Sequence, residues 1–311
     1  MPQMTPAEAR VIDPVLTEIA RGYRPEGHVG LQLAPEVRVG QRGGKMIQFG
    51  KEAFRIYDTA RAPGTRIPEL QLGYGANTYA LVDHALQAKV PVEHLEEARA
   101  VPNVDLAARA VRVVQDIMFQ RLEFDLATAV RDPTRYDSNH KQVLSGTSQW
   151  SDYSASTPTK DVRAWAEVIR SSIGRRPNTM VMGAAVFAAL AEHPVILDRM
   201  KYTTRDSVTA DILAQLFGIQ KVLVGEAVYE SGGQMVDMWG KDVILAYTIP
   251  ASLADQGAPT FAYTYRLNDR PLVGGGWLDR DTNSWKYPVH DAFQPLVVGA
   301  DAGFLAQNVV A

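Results

Sequence analysis

The sequence predicts an α+β fold in which a long helix lies between extended chain and a mixed unit of helices and strands. Apolar residues follow a helical period from Asn103 to Arg131. The chain before this helix alternates in the way of strands and is rich in turn residues. The chain after it first mixes helices with short strands and then becomes mostly strands and turns. These three observations exclude an all-helical or an all-β fold.

Residues 1–91 are predicted to form an arm and a long hairpin. A short helical pattern ends at Gly22, and Pro and Gly steps follow, so we expect 1–43 to be a tail or an arm that packs on something else. Alternating apolar residues then predict a two-stranded hairpin over 44–91, with a turn-rich tip at 58–75. Because an isolated hairpin is marginally stable in water, this one is expected to need a partner surface.

The long helix has clear boundaries in the sequence. Asn103 is its predicted N-cap, Asp105 lies in its first turn, and Pro133 ends it. At 1.5 Å per residue the helix would be about 42 Å long. Further helices are predicted at 158–173, 184–192 and 209–217. Short strands are predicted at 179–182, 221–224, 235–239 and 243–247.

Composition excludes several classes of protein. The 32 basic residues are outnumbered by 35 acidic ones, which argues against a protein that grips phosphates. Cys is absent, so disulfides, thiolate metal sites and a cysteine nucleophile are excluded. The polar first ten residues lack a signal-peptide core, and no apolar run of about 18 residues predicts a membrane span. We expect synthesis in the cytoplasm.

Few residues suggest chemistry. Asp83-His84 and Glu93-His94 invite a metal or acid–base interpretation, but no helical spacing links them, and a structural role is favoured. Gly274-Gly275-Gly276 lacks the Lys-Ser/Thr of a phosphate loop and is interpreted as a turn. Aromatic residues near the C-terminal strands favour a β-rich core over a ligand site: Trp277, Trp285 and Tyr287. No catalytic residue, cofactor or metal is assigned.

Several phrases occur in a recognisable order. Arg176-Pro177-Asn178-Thr179 leads through an apolar run and a helix to His193-Pro194. Leu216-Phe217-Gly218-Ile219 is followed by Val222-Leu223-Val224-Gly225-Glu226-Ala227-Val228-Tyr229, then by Trp239-Gly240-Lys241-Asp242 and Val243-Ile244-Leu245-Ala246-Tyr247, and finally by Gly303-Phe304-Leu305 with Asn308. Together these phrases resemble the major capsid proteins of tailed bacteriophages with the Hong Kong 97-type fold. The resemblance covers essentially the whole chain.

The resemblance implies a domain plan and a function. Residues 1–43 would be the N-terminal arm, 44–91 the extended hairpin, 92–133 with 261–311 a peripheral domain with the spine helix, and 134–260 the axial domain. The chain would be a non-enzymatic shell subunit, forming pentamers and hexamers of an icosahedral head that encloses double-stranded DNA contacted non-specifically. It would act in the virion after assembly in the bacterial cytoplasm, with no membrane involved. A portal protein and a cement or decoration protein are implied as further partners.

Local charge suggests where copies meet. The hairpin is locally basic, at Lys51, Arg55, Arg61 and Arg66 among others, and the chain just before the long helix is acidic, at Glu93, Glu96 and Glu97. These seven residues are the candidate inter-subunit contacts, since the resemblance lays one subunit's hairpin across its neighbour. The alternative is two solvated faces that contribute little.

Other interpretations stay open. Only 43 residues precede the hairpin, so a separate scaffolding protein is expected. The nearest alternative function is an encapsulin-like nanocompartment shell, which would hold a cargo protein. A soluble α/β enzyme, which would be a monomer or dimer, and a minor protein of the tail or neck are further alternatives.

Overall fold

A computed structural model describes residues 12–22, 27–45, 60, 78–99, 105–200, 208–250 and 259–311. Within these residues the helices α1 to α8 are Pro14–Gly22, Gly30–Leu33, Val92–Arg99, Leu106–Arg131, Pro158–Ile173, Ala184–Ala191, Pro194–Met200 and Ala210–Phe217. The strands β1 to β15 are Glu36–Val39, Gly43–Lys45, Thr78–Ala80, Val82–Pro91, Lys141–Val143, Thr179–Gly183, Lys221–Gly225, Val228–Ser231, Gln234–Asp237, Val243–Ala246, Ala262–Leu267, Leu272–Val273, Trp277–Asp279, Ser284–Val297 and Gly303–Gln307. None of the described helices is long and apolar enough to cross a bilayer.

A five-stranded sheet with the order β5-β15-β10-β6-β7 forms the centre of the larger core. Every residue of β6 and β10 is buried, which is typical of strands covered on both faces. Strand β15 pairs antiparallel with β10, Leu305 opposite Ile244. The predicted division placed all of 261–311 in the peripheral domain, but the last strand belongs to this other sheet because its apolar residues complete the sheet's buried layer.

A second sheet has six strands and is organised around β14. Its main order is β1-β11-β14-β12, with β13 and β4 also paired to β14. Strand β4 pairs with β14 over ten residues, from Val82 opposite Phe293 to Pro91 opposite Ser284. The second strand of the predicted hairpin is therefore mostly part of a larger sheet. The short β2–β3 ladder, Gly43 opposite Ala80, lies at the base of that hairpin.

Helix α4 connects the two sheets and confirms the predicted long helix. Its N-cap is Asp105, whose carboxylate accepts the Ala108 N–H at 3.0 Å. Asn103 was predicted for this position and lies outside the described residues. The 26 residues give a length of about 39 Å. The N-terminal half packs beside β4, β14 and α1, and the C-terminal half joins the larger core.

The described part of the predicted arm packs on its own chain. Leu16 and Ala20 of α1 join the cluster under the six-stranded sheet, and Leu33 is fully buried in the larger core. Strand β1 pairs in parallel with β11, Glu36 opposite Thr264. The surface that this segment needs is therefore supplied, for 12–22 and 27–39, by the same subunit.

Local signals placed most other elements correctly. Helix α5 begins at Pro158 and ends before Gly174, which adopts the left-handed conformation, as predicted. Helices α2 and α7 were missed, and the helix predicted over 184–192 was expected to stop at Pro194. Pro194 is the first residue of α7, a position where proline's missing N–H costs nothing.

Candidate assembly surfaces

The seven predicted contact residues fall into two groups. The basic members lie outside the described residues: Lys51, Arg55, Arg61 and Arg66. The acidic members Glu93, Glu96 and Glu97 lie on α3, where all three are exposed. The structure therefore presents the acidic half of the predicted pairing on one short helix and leaves the pairing itself untested.

Helix α3 is held by the turn between β13 and β14. The Val92 N–H donates to the Asn283 carbonyl at 3.1 Å, and the Asn283 amide donates to Glu93 Oε1 at 2.9 Å. A bond from its own backbone N–H and this amide lower the pKa of Glu93. Asn283 has φ 44°, a left-handed conformation that asparagine tolerates well. The acidic helix is thus fixed to the edge of the six-stranded sheet.

The same corner exposes apolar side chains. Trp277 is 47% and Leu278 41% exposed. Lys286 Nζ lies 4.8 Å from the Trp277 ring centroid and 2.6 Å from Asp279 Oδ2, and Lys286 is the main cause of the lowered pKa of Asp279. Trp277 was interpreted as a core residue, whereas its ring forms part of the surface.

The base of the hairpin is fixed to the six-stranded sheet. The Tyr79 ring stacks on Tyr265 of β11 with centroids 4.9 Å apart, and the Leu81 N–H donates to the Arg42 carbonyl at 2.8 Å. Arg42 also forms an exposed ion pair with Asp83, which lowers the pKa of that carboxyl. The described base of the hairpin, 43–45 and 78–80, is consequently held against the six-stranded sheet.

A buried carboxylate joins the arm to the long helix. Glu123 of α4 is 1% exposed and accepts the N–H groups of Val29 at 3.1 Å and Gly30 at 2.9 Å. It also accepts the Trp239 indole N–H at 2.9 Å. A Cβ on residue 30 would stand 2.5 Å from the carboxylate, so only glycine allows this approach. The contact ties three separate segments at one point.

Two arginines make similar connections through buried or partly buried ion pairs. Arg266 of β11 donates to Asp291 of β14 at 3.0 Å and to Glu36 of β1 at 2.8 Å. At the end of α4, Arg131 donates to Asp242 Oδ2 at 2.6 Å. Breaking such a buried pair typically costs about 3–5 kcal/mol. These pairs join β1, β11 and β14 to one another and the end of α4 to Asp242, just before β10.

The structure describes the surroundings of the residues that were weighed for chemistry. The His84 ring stacks on Phe293 with centroids 4.0 Å apart, and burial lowers the pKa of its imidazole. His94 is exposed on α3. Among the described residues no group of three or more His, Asp or Glu could hold a metal ion. Gly274 and Gly276 lie between β12 and β13, but these two strands run in the same direction along β14, with Val273 opposite Val289 and Trp277 opposite Lys286, so the turn predicted here is wrong.

Sequence reasoning missed the buried polar residues. Arg266, Asp291 and Glu36 come from three strands distant in the chain, so no local pattern joins them. Glu123 did carry a signal, since it is a carboxylate between the buried residues Leu122 and Leu126 of a predicted amphipathic helix.

Comparison with known proteins defines the class of the fold. The mature capsid of bacteriophage PhiM1 superimposes with a TM-score of 0.54 at 9% identity, over 92% of this chain and 88% of that chain. Likeness at this identity concerns the fold alone. The fold is the α+β Hong Kong 97-type fold of phage capsid proteins.

Closer relatives identify the family. The model for Phage major capsid protein E matches residues 135–302. The major capsid protein of Burkholderia phage BcepMu is 33% identical over 309 residues, which is 97% of this chain and 98% of that protein. A phage-related protein of Bordetella bronchiseptica has a structure with a TM-score of 0.84 at 38% identity, covering 97% of this chain and 98% of that chain. This chain belongs to the phage major capsid protein family, and is a structural protein of the virion.

Proposed function

We propose that copies of this chain assemble into pentamers and hexamers that close into an icosahedral shell around packaged double-stranded DNA. The observation that carries the proposal is the full-length likeness to the BcepMu major capsid protein. The subunit would be non-enzymatic, and assembly would take place in the host bacterial cytoplasm. A separate scaffolding protein, a portal protein and a cement protein are the proposed partners, with DNA contacted non-specifically.

The proposal keeps the domain division predicted from the sequence, with one change. Residues 1–43 form the arm, 44–91 the hairpin, 92–133 and 261–302 the peripheral domain, and 134–260 with 303–311 the axial domain. The change follows from the pairing of β15 with β10. The hairpin reaches a neighbouring copy, and its fixed base sets the direction of that reach.

Negative-stain electron microscopy of the purified full-length chain tests shell formation. Closed particles of uniform diameter are expected, with subunits in groups of five and six. A chain that stays monomeric or dimeric at high concentration would contradict the proposal and favour the enzyme alternative. Particles from phage-producing cells should contain DNA, whereas a cargo protein in its place would identify the encapsulin alternative.

Charge reversal tests the proposed pairing of the hairpin with α3. Arg61→Glu with Arg66→Glu should reduce shell yield and lower the salt concentration at which shells dissociate. Combining these changes with Glu93→Lys and Glu96→Lys should restore both. The matched control is Arg163→Glu with Arg176→Glu, two exposed arginines far from α3 in sequence. Unchanged shells from the first variant would rule out the pairing.

A further inference from the structure

Helix α4 carries a second apolar stripe opposite the one it buries. Residues with the spacing of a coiled-coil seam follow one another along it: Leu106, Ala110, Val113, Ile117, Gln120 and Phe124. The steps alternate between four and three residues, and none of the six is among the buried residues of the helix. From Leu106 to Phe124 this seam is about 27 Å long.

The contacts made by the described residues cover only the ends of the seam. Ala110 packs on the cluster that contains α1, and the Phe124 ring meets Tyr229 edge-on at 4.9 Å. Gln120 donates to the Val228 carbonyl at 3.0 Å. Between these ends Val113 is 52% and Ile117 49% exposed. Within the described part of the chain, two neighbouring β-branched aliphatic side chains thus stay half-exposed in the middle of a coiled-coil pattern.

Charge on the border of the seam limits what can cover it. Arg109 and Arg112 are exposed beside Val113, and neither has an ion-pair partner within the described part of the chain. The remaining exposed arginine on this side, Arg121, is paired with Asp125 at 2.9 Å. A partner would therefore gain from carboxylates near the N-terminal half of the seam.

Segments of a second copy fit this surface poorly. Over 46–77 the hairpin has four basic residues and only three acidic ones, Glu52, Asp58 and Glu69. The acidic helix α3 offers charge, but its apolar residues Val92 and Leu95 are already half-buried in their own subunit. A DNA backbone would match the arginines and would leave Val113 and Ile117 exposed.

We propose that the α4 seam, centred on Val113 and Ile117 and bordered by Arg109 and Arg112, is the docking site of an acidic amphipathic helix from a second protein that assists assembly. The inference rests on the proposed shell function, in which subunits are brought together by a separate protein. Helix-on-helix docking buries the exposed aliphatic side chains, and flanking carboxylates meet the unpaired arginines. At 5.4 Å per turn the seam is about five turns long.

Peptide binding to the purified full-length chain tests this site. The probe is a labelled 21-residue peptide with Leu at the seam positions and Glu beside them, and its control has Lys in place of Glu. By fluorescence anisotropy the Glu peptide should bind at least tenfold more tightly. Arg109→Glu with Arg112→Glu should reverse this preference, and Val113→Asn with Ile117→Asn should weaken binding at least tenfold. The controls Arg163→Glu with Arg176→Glu, and the 60%-exposed Val143→Asn, should change neither.

Several outcomes would overturn the inference. Equal binding of the two peptides, or binding that survives Ile117→Asn, would show that the seam is not the site. Tighter binding of a DNA duplex that is lost in the arginine variant would assign the surface to nucleic acid. Because the chain has no Cys, Ile117→Cys provides a unique thiol. If assembly of the chain alone blocks labelling of this thiol, a second copy covers the seam.

Electron microscopy distinguishes failure of the docking inference from failure of the proposed shell function. Val113→Asn with Ile117→Asn should leave the thermal midpoint of the subunit nearly unchanged, since both side chains are half-exposed. If wild-type shells form while the peptides do not discriminate, the docking site is wrong and the shell function stands. If no shells form from wild type under any condition, the shell function itself fails.

Discussion

The two sheets of this subunit differ in how completely the chain covers them. In the five-stranded sheet, strands β6 and β10 are buried throughout, including the fully buried Met180 and Leu245. In the six-stranded sheet, β4 leaves Val82 49% and Leu86 40% exposed, and β13 exposes Trp277. The first sheet completes its core within one chain. The second sheet leaves apolar side chains of β4 and β13 at the surface of the subunit.

Exposure does not make the six-stranded sheet weak throughout. Its strands β1, β11 and β14 are joined by the buried Arg266, with Asp291 2% exposed, while Arg42 and Asp83 form an ion pair at its rim. The six-stranded sheet thus contains both a buried ion pair and an exposed one, so buried and exposed contacts can be compared within this sheet as well as between the two sheets. Both levels can be tested on unassembled subunits.

Removing Asp291 should have the largest effect. Asp291→Ala leaves the Arg266 guanidinium buried with only Glu36 as a partner, so we expect a loss of about 3–5 kcal/mol in the free energy of unfolding by urea. The matched control Asp83→Ala breaks an exposed pair and should cost about 0–1 kcal/mol. Similar losses in the free energy of unfolding for Asp291→Ala and Asp83→Ala would show that the buried and the exposed ion pair stabilise the subunit equally.

Truncating one leucine in each sheet compares them directly. Leu245→Ala opens a cavity in a fully buried strand and should cost about 2–5 kcal/mol. Leu86→Ala removes a partly exposed side chain and should cost about 1 kcal/mol or less. In assembled shells, measured by thermal dissociation, the Leu86 variant should lose more than it does as a subunit if a neighbour covers β4. An equal loss in both states would show that β4 stays open.

Replacing the Glu123 carboxylate should destabilise the packing of residues 27–33 without disrupting either sheet. Glu123→Gln keeps one oxygen acceptor and replaces the other with a donor that faces the Gly30 N–H, so a cost of about 1–3 kcal/mol is expected. Hydrogen exchange measured by mass spectrometry should accelerate in 27–33 and stay unchanged in α5. The control Asp125→Asn, which changes a partly exposed pair on the same helix, should leave 27–33 protected.

The sequence predicted the bounds of helices better than it predicted which strands pair with each other, and the reason is physical. Helices α5 and α8 are bounded by Pro158, Gly174, Thr209 and Gly218, which act on their own backbone and can be recognised locally. Strand partners depend on residues far away in the chain. Val37 pairs with Tyr265, and Leu305 with Ile244, so neither the pairing of β1 in the six-stranded sheet nor that of β15 in the five-stranded sheet follows from a local pattern.

The candidate surfaces show the same limit. The acidic run at 93–97 and the apolar residues of α4 were visible in the sequence. Which stripe of α4 is buried was not, because Val113 and Val114 both fit a helical period and only the packing of β4 and β14 chooses Val114. The hydrogen bond from Asn283 that fixes α3 joins residues 190 positions apart.

The smallest effect is expected from pH and concerns His193, which lies between α6 and α7. His193 is fully buried; its Nδ1 accepts the Val195 N–H at 3.2 Å, so Nε2 carries the proton and donates to Ser156 Oγ at 2.9 Å. Burial lowers the pKa of this imidazole. The unfolded chain therefore takes up a proton at a higher pH than the folded chain does, and stability should fall as pH drops below about 6.5.

His193→Gln keeps the donor to Ser156 and should lower the thermal midpoint at pH 7.5 while flattening the decline of that midpoint toward pH 5.5. His94→Gln, at an exposed site, should leave that decline intact. A decline that persists unchanged in the His193 variant would assign it to other groups.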